Sequence, residues 1–162
     1  MGLEPRLHQQ DSKWICQIGE HKFDLDHLEI GVWRSGSLET QTESELILGG
    51  DGTVTYVGTR CAPLTGRHKW NVPQERICSL LVRFVSVKFD LLQDAYPLDG
   101  TDHPHTRIRI IANGRAKEVI NVWCGEREDH PEVPDEIIAI HDLLDSLAAD
   151  IEDESGLHGL WR

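Results

Sequence analysis

Asp99, Asp102, His103 and His105 stand within one short stretch and are the residues whose types and spacing could do chemistry. Two histidines two apart on an extended segment point to the same side, so their imidazoles could share a metal ion. Asp102 could complete the ligand set or orient one of the rings. Pro104 stands between the histidines and lacks a backbone donor, which disturbs regular strand pairing. The plainer reading is a loop entering a strand, with Asp102 in the turn and both histidines half exposed; short clusters of this kind arise often without a metal. Continued alternation brings Arg107 and Arg109 onto the face of His103 and His105. That basic stripe is a candidate anion site, with Asp102, His103, His105 and Arg107 as its candidate binding residues. A cross-strand pair between Arg109 and Glu118 would make the same stripe structural.

His141 and Asp145 are four apart on an expected helix, flanking its apolar stripe. A carboxylate-oriented imidazole is a familiar general base. Pairs at this spacing are also ordinary helix-surface features, and no nucleophile in a recognisable motif accompanies this one. Tyr56, Trp70 and Trp123 could form a stacking surface, although aromatics at alternate strand positions are more often core. The chain has no glycine loop followed by Lys-Ser or Lys-Thr and no dinucleotide fingerprint. Asp51-Gly52 lacks the spaced oxygen ligands that calcium requires. No cofactor and no metal is therefore expected.

The elements that would position these residues are punctuated by two turns. Gly49-Gly50-Asp51-Gly52 precedes Thr53–Gly58, and Asn113-Gly114 separates Arg107–Ile111 from Lys117–Val122. Both read as hairpins, because such residues accept the positive φ of tight turns. A two-residue loop at Asn113-Gly114 sets Arg109 opposite Glu118, Arg107 opposite Ile120, His105 opposite Val122 and Ile108 opposite Val119. Further strands are expected near 13–18, 27–33 and 64–72, and the polar run between Arg34 and Ser44 reads as an exposed loop. Asn71 is a candidate cap for a helix over 73–88, with Ile77, Leu80, Leu81 and Phe84 on its buried stripe. A second helix over 134–150 buries Ile137, Ile140, Leu144, Leu147, Ala148 and Ile151. The expected fold is α+β: a mostly antiparallel sheet built around two hairpins, with two amphipathic helices packed on one face. Residues 1–25 read as a lead with an edge strand, 26–152 as a single domain, and 153–162 as a loosely held tail.

The chain has 162 residues, a formal net charge of −12 and four cysteines. This length buries a sufficient core without disulfide or metal. Cys16, Cys61, Cys78 and Cys124 are scattered and are expected as free thiols. The negative charge disfavours nucleic acid and anionic lipid and suits a basic protein partner. No segment approaches the length of a membrane span, and the polar start lacks a signal-peptide core, so the cytoplasm is the expected location.

The run Asp51-Gly52-Thr53-Val54-Thr55-Tyr56-Val57-Gly58 resembles the signature strand, Asp-Gly-x-Val-x-Tyr-x-Gly, of a bacterial domain family of unknown function. The resemblance continues through Gly66-Arg67-His68, the helix from Pro73, Phe89–Tyr96 and Thr101-Asp102-His103-Pro104, and covers about residues 26–148. The family often carries Cys-x-Gly-x-Cys-Pro-x-Tyr before that strand; here Trp33–Thr40 holds neither Cys nor Pro. Many relatives resemble exported proteins, a feature this start does not share. The resemblance implies a fold and no established activity. The sequence thus suggests a small acidic binding domain, for example an immunity-type inhibitor masking a basic partner. The alternative is a metal- or anion-dependent enzyme using Asp102, His103, His105 and His68.

Overall fold

The structure, a computed structural model, describes residues 2–35, 42–59, 62, 64–96, 104–122 and 134–157. Among the described residues, ten strands form two sheets. Strands β1 (Pro5–Gln10), β2 (Lys13–Ile18) and β3 (His21–Asp24) make a three-stranded antiparallel sheet. The second sheet contains β4 (Glu29–Ser35), β5 (Thr42–Gly49), β6 (Thr53–Gly58), β7 (Gly66–Asn71), β8 (Ala95–Tyr96), β9 (His105–Ala112) and β10 (Arg115–Val122). Its order is β7-β6-β5-β4-β9-β10-β8. All neighbours in it are antiparallel except β8 and β10, which are parallel. Among the described residues there are two α-helices, α1 (Gln74–Ser86) and α2 (Asp135–Glu154). The class is α+β with mostly antiparallel sheet.

Local chemistry explains the turns. Asn113 and Gly114 both have positive φ, which gives the two-residue loop between β9 and β10. The resulting register sets Arg109 opposite Glu118, Arg107 opposite Ile120 and His105 opposite Val122. Between β5 and β6 the Asp51 carboxylate accepts from the Thr53 amide at 2.9 Å, a bond that holds its pKa below the usual range. The N-terminal segment carries more than one edge strand. Asp11 and Ser12, both at positive φ, turn β1 into β2, and Cys16 and Ile18 of β2 are fully buried. No glycine marks that first turn, so its hairpin is faint in the sequence; an aspartate's short polar side chain tolerates the left-handed region.

Both helices start differently from expectation or end later. Asn71 lies in β7 and does not cap α1; the N-cap is Pro73, with no side-chain cap bond. The Gln74 side chain instead donates to the Gly50 carbonyl at 3.0 Å and ties the helix start to the β5–β6 turn. Helix α2 continues to Glu154, and Ser155 and Leu157 beyond it are buried. The Trp70 indole donates to the Ser155 carbonyl at 2.6 Å. That bond satisfies one of the carbonyls orphaned at a helix C-terminus, so β7 holds down what reads in sequence as a tail.

The core lies between the helices, the three-stranded sheet and one face of the large sheet, so the two helices do not simply share one sheet face as expected. Helix α1 packs against α2, β1 and β2, while α2 packs on β9 and β10. Ile77, Leu80, Leu81 and Phe84 of α1 and Leu144, Leu147, Ala148 and Ile151 of α2 are buried, as their spacing requires. Cys16 and Cys78 are free thiols within this core, whereas Cys61 and Cys124 lie outside the described residues.

Candidate binding surfaces

Asp102 and His103 lie outside the described residues, so the proposed cluster can be followed only through His105 and Arg107. These two, with Arg109, alternate along β9 on the face of the large sheet turned away from the helices. There Arg107 and Arg109 meet Trp33 of β4, the register partner of Arg107. The indole lies over Gly31, where a Cβ would collide with the ring carbons Cη2 and Cζ3. The guanidinium carbons of Arg107 and Arg109 sit 4.4 and 4.8 Å from the ring centroid. The Trp33 indole donates to Glu45 at 2.7 Å, and Arg109 donates to Glu29 at 2.8 Å. Glu118 faces Arg109 in register, yet its carboxylate lies nearer Arg107, at 3.7 Å from Nε. Carboxylates thus offset the basic stripe, and its chemistry is that of cation–aromatic packing more than of an anion trap. Among the described residues, no three His, Cys, Asp or Glu side chains are grouped to hold a metal.

His141 does not flank the apolar stripe of α2 but lies within it at 1 % exposure, whereas Asp145 is half-buried. Asn121 of β10 donates its side-chain amide to Asp145 at 3.1 Å and to the His141 carbonyl at 3.5 Å. Burial pushes the Asp145 carboxyl up and the His141 imidazole down. Tyr96 packs edge-on against the imidazole with centroids 6.4 Å apart. Among the described residues neither ring nitrogen has a hydrogen-bond partner. The pair therefore holds two neutral-leaning groups beneath the helix. A general base needs reach to a substrate proton, and this ring is enclosed. Of the aromatic candidates, Tyr56 is buried at 2 % exposure and Trp70 packs against the core; Trp123 lies outside the described residues.

Helix α2 gathers negative charge. Its sequence holds Asp135, Glu136, Asp142, Asp145, Asp150, Glu152, Asp153 and Glu154 and no Lys or Arg. Acidic groups at its start complement the helix dipole, but those at its end oppose it. Three of the molecule's own arginines answer them: Arg34 pairs with Glu152, Arg83 with Asp150 at 2.7 Å, and Arg76 reaches the Asp153 carbonyl at 3.4 Å. Burial, then repulsion from Asp153 and Asp150, still pushes the Glu154 carboxyl above its ordinary value, against the pull of Arg76.

A further feature escapes the sequence. A groove of about 950 Å³ opens between the end of α1 with the 3-10 turn Phe89–Leu91, the β2–β3 turn, and the tip of the β9–β10 hairpin. Its apolar lining comes from Ile18, Phe23, Phe84, Phe89, Leu91 and Ile110. Asn113 holds two of its walls together, donating to the Lys22 carbonyl at 2.6 Å and accepting from the Asp24 amide at 3.2 Å. No single segment supplies the groove. The only sequence trace is Leu91, an apolar residue beyond the stripe of α1.

No curated protein matches the chain. Residues 35–148 match a family described as a domain of unknown function (DUF6438). The matched stretch runs from the end of β4 into α2 and includes Arg107, Asn121 and His141 but not β1–β3. Because it spans most of the 162 residues, the chain belongs to that family.

Proposed function

We propose that this protein is a non-catalytic interaction domain that receives a basic protein partner along the C-terminal half of α2. The observation that carries the reading is the crowding of Asp150, Glu152, Asp153 and Glu154 at the negative end of a helix with no basic residue in its last turn. Such placement is unfavourable for the isolated helix, by roughly 0.3–1 kcal/mol per charge at an exposed end. The raised Glu154 carboxyl is a sign of that repulsion together with burial. Lysines or arginines from a partner relieve it, just as Arg34 and Arg83 already do within the molecule. An immunity-type inhibitor that covers a basic catalytic surface is one concrete form of this function.

The test uses an oligolysine peptide as the probe, titrated into the full chain at low and high salt. Binding is expected to weaken steeply with salt, since exposed charges are screened. An Asp153→Lys, Glu154→Lys double variant is expected to bind at least about tenfold more weakly, or about 1.4 kcal/mol. A Glu4→Lys, Asp11→Lys double variant, with the same net charge, is expected to lose far less. Equal losses for the two variants would mean that total charge and not α2 governs binding, and the reading would fail.

A further inference from the structure

The groove between α1, the β2–β3 turn and the β9–β10 hairpin has the composition of a ligand site. Its volume, about 950 Å³, lies at the upper end of the roughly 300–1,000 Å³ of small-molecule sites. Its floor is rigid core: Ile18 is 0 %, Phe89 2 % and Phe84 4 % exposed. Its lip is the opposite. Among the described residues three large apolar side chains are exposed, and two of them line this groove, Leu3 at 41 % and Leu91 at 74 %. A ligand seated there would cover apolar side chains that now stand open beside an apolar cavity.

The charge at the rim runs against the rest of the molecule. The whole chain has 16 Lys and Arg against 28 Asp and Glu, yet the groove is lined by Lys88, Arg115 and Lys117 against Glu20 and Asp90. The Lys117 ammonium is held by the Leu92 carbonyl at 2.6 Å and by Asp94 at 2.7 Å. Among the described residues Arg115, on the hairpin wall, forms no ion pair, and the carboxylates of the groove, Glu20 and Asp90, stand on its other walls. An apolar floor with a guanidinium on one wall fits an apolar chain that ends in an anion.

We infer that the groove binds an aliphatic carboxylate of the fatty-acid class, its chain on Phe84, Phe89 and Ile110 and its carboxylate on Arg115. One wall, Ile18 to Phe23, precedes residues 35–148, so the N-terminal sheet completes a site that the family-matched stretch does not form alone. The site is separate from α2 and stands whether or not that helix takes a basic partner.

Three ten-carbon probes test it by titration calorimetry below their micellar range: decanoate, decanol and decyltrimethylammonium. Decanoate is expected to bind one to one and at least about tenfold more tightly than the cationic probe. Arg115→Glu is expected to weaken decanoate about tenfold and to leave decanol unchanged. Leu91→Gln is expected to weaken all three. Both side chains are exposed, so neither variant disturbs the core, and circular dichroism checks each fold. Equal affinity for all three probes overturns the assignment and marks a purely apolar seat, for which sedimentation would reveal a second copy. No saturable decanoate binding overturns it outright.

Discussion

The two faces of the seven-stranded sheet are built from the same strands and obey different rules. On the covered face Ile30, Leu48, Val54, Ile108 and Val119 are at most 1 % exposed and belong to one core with the helices' apolar stripes. On the open face Glu29, Glu45, Arg107, Arg109 and Glu118 are half-buried and arranged around Trp33. Trp33 is an exception there, at 7 % exposure, because Gly31 lies beneath it and two arginines lie against it. The difference teaches that apolar packing holds this fold, while the ionic lattice positions one aromatic ring. Closely packed interiors feel every lost methylene, whereas exposed ion pairs contribute only about 0–1 kcal/mol each.

The largest expected effect therefore lies under the covered face. Phe84→Ala or Leu144→Ala is expected to lower stability by about 2–5 kcal/mol, read from denaturant midpoints. A loss below about 1 kcal/mol at either site would place that helix away from the core. Next comes the exception on the open face. Gly31→Val puts a side chain where the Trp33 ring lies, and is expected to destabilise by about 1–3 kcal/mol. The Trp33 indole N–H resonance should shift with it; an unmoved resonance would mean that the ring is not seated on Gly31.

Arg107→Ala removes one cation from the ring and is expected to lower stability by about 0.5–1 kcal/mol. A loss as large as that of Leu144→Ala would break the contrast between the faces. Arg83→Ala removes an exposed pair with Asp150, both partners more than a third exposed, and is expected to change stability by less than about 0.5 kcal/mol.

The smallest effect is a change of slope with pH. Burial lowers the His141 pKa from its ordinary 6.5, so in the folded protein the ring releases its proton more readily than in the unfolded chain. Below 6.5 the unfolded state binds the extra proton, and stability falls as pH falls. Asp145 has the opposite sign: its raised pKa favours the folded state at low pH, and that contribution is lost as pH rises through it. His141→Gln is expected to flatten the decline of the thermal midpoint between about pH 6.5 and pH 5. An unchanged slope would show that the ring is hydrated and not enclosed.

Much of this architecture was legible. Asn113-Gly114 announced its hairpin, and the register of Arg107, Arg109 and Glu118 followed from the two-residue loop. The stripes of α1 and α2 announced their buried faces, since 3.6-residue spacing admits few alternatives. The first hairpin was faint, because Asp11-Ser12 reaches positive φ without glycine. The position of Asn71 before a proline suggested a cap, but strand pairing with Thr53 in β6 claimed that residue. Of the candidate site residues, His105 and Arg107 were correctly placed on one strand face, and what faces them was not readable.

The sequence by itself determined the α+β class, the alternation that sorts β9 into apolar and charged faces, and the acidic character of α2. These are local properties, written in periods of two and 3.6 residues and in charge. Only the tertiary structure decided that Glu29 and not Glu118 binds Arg109, that Trp33 rests on Gly31, that His141 is enclosed above Asn121, and that three distant segments leave a groove. Each of those depends on which strand lies beside which. That choice belongs to the whole chain, because a side chain's partner across β4 and β9 is set by packing between residues some 80 positions apart in sequence.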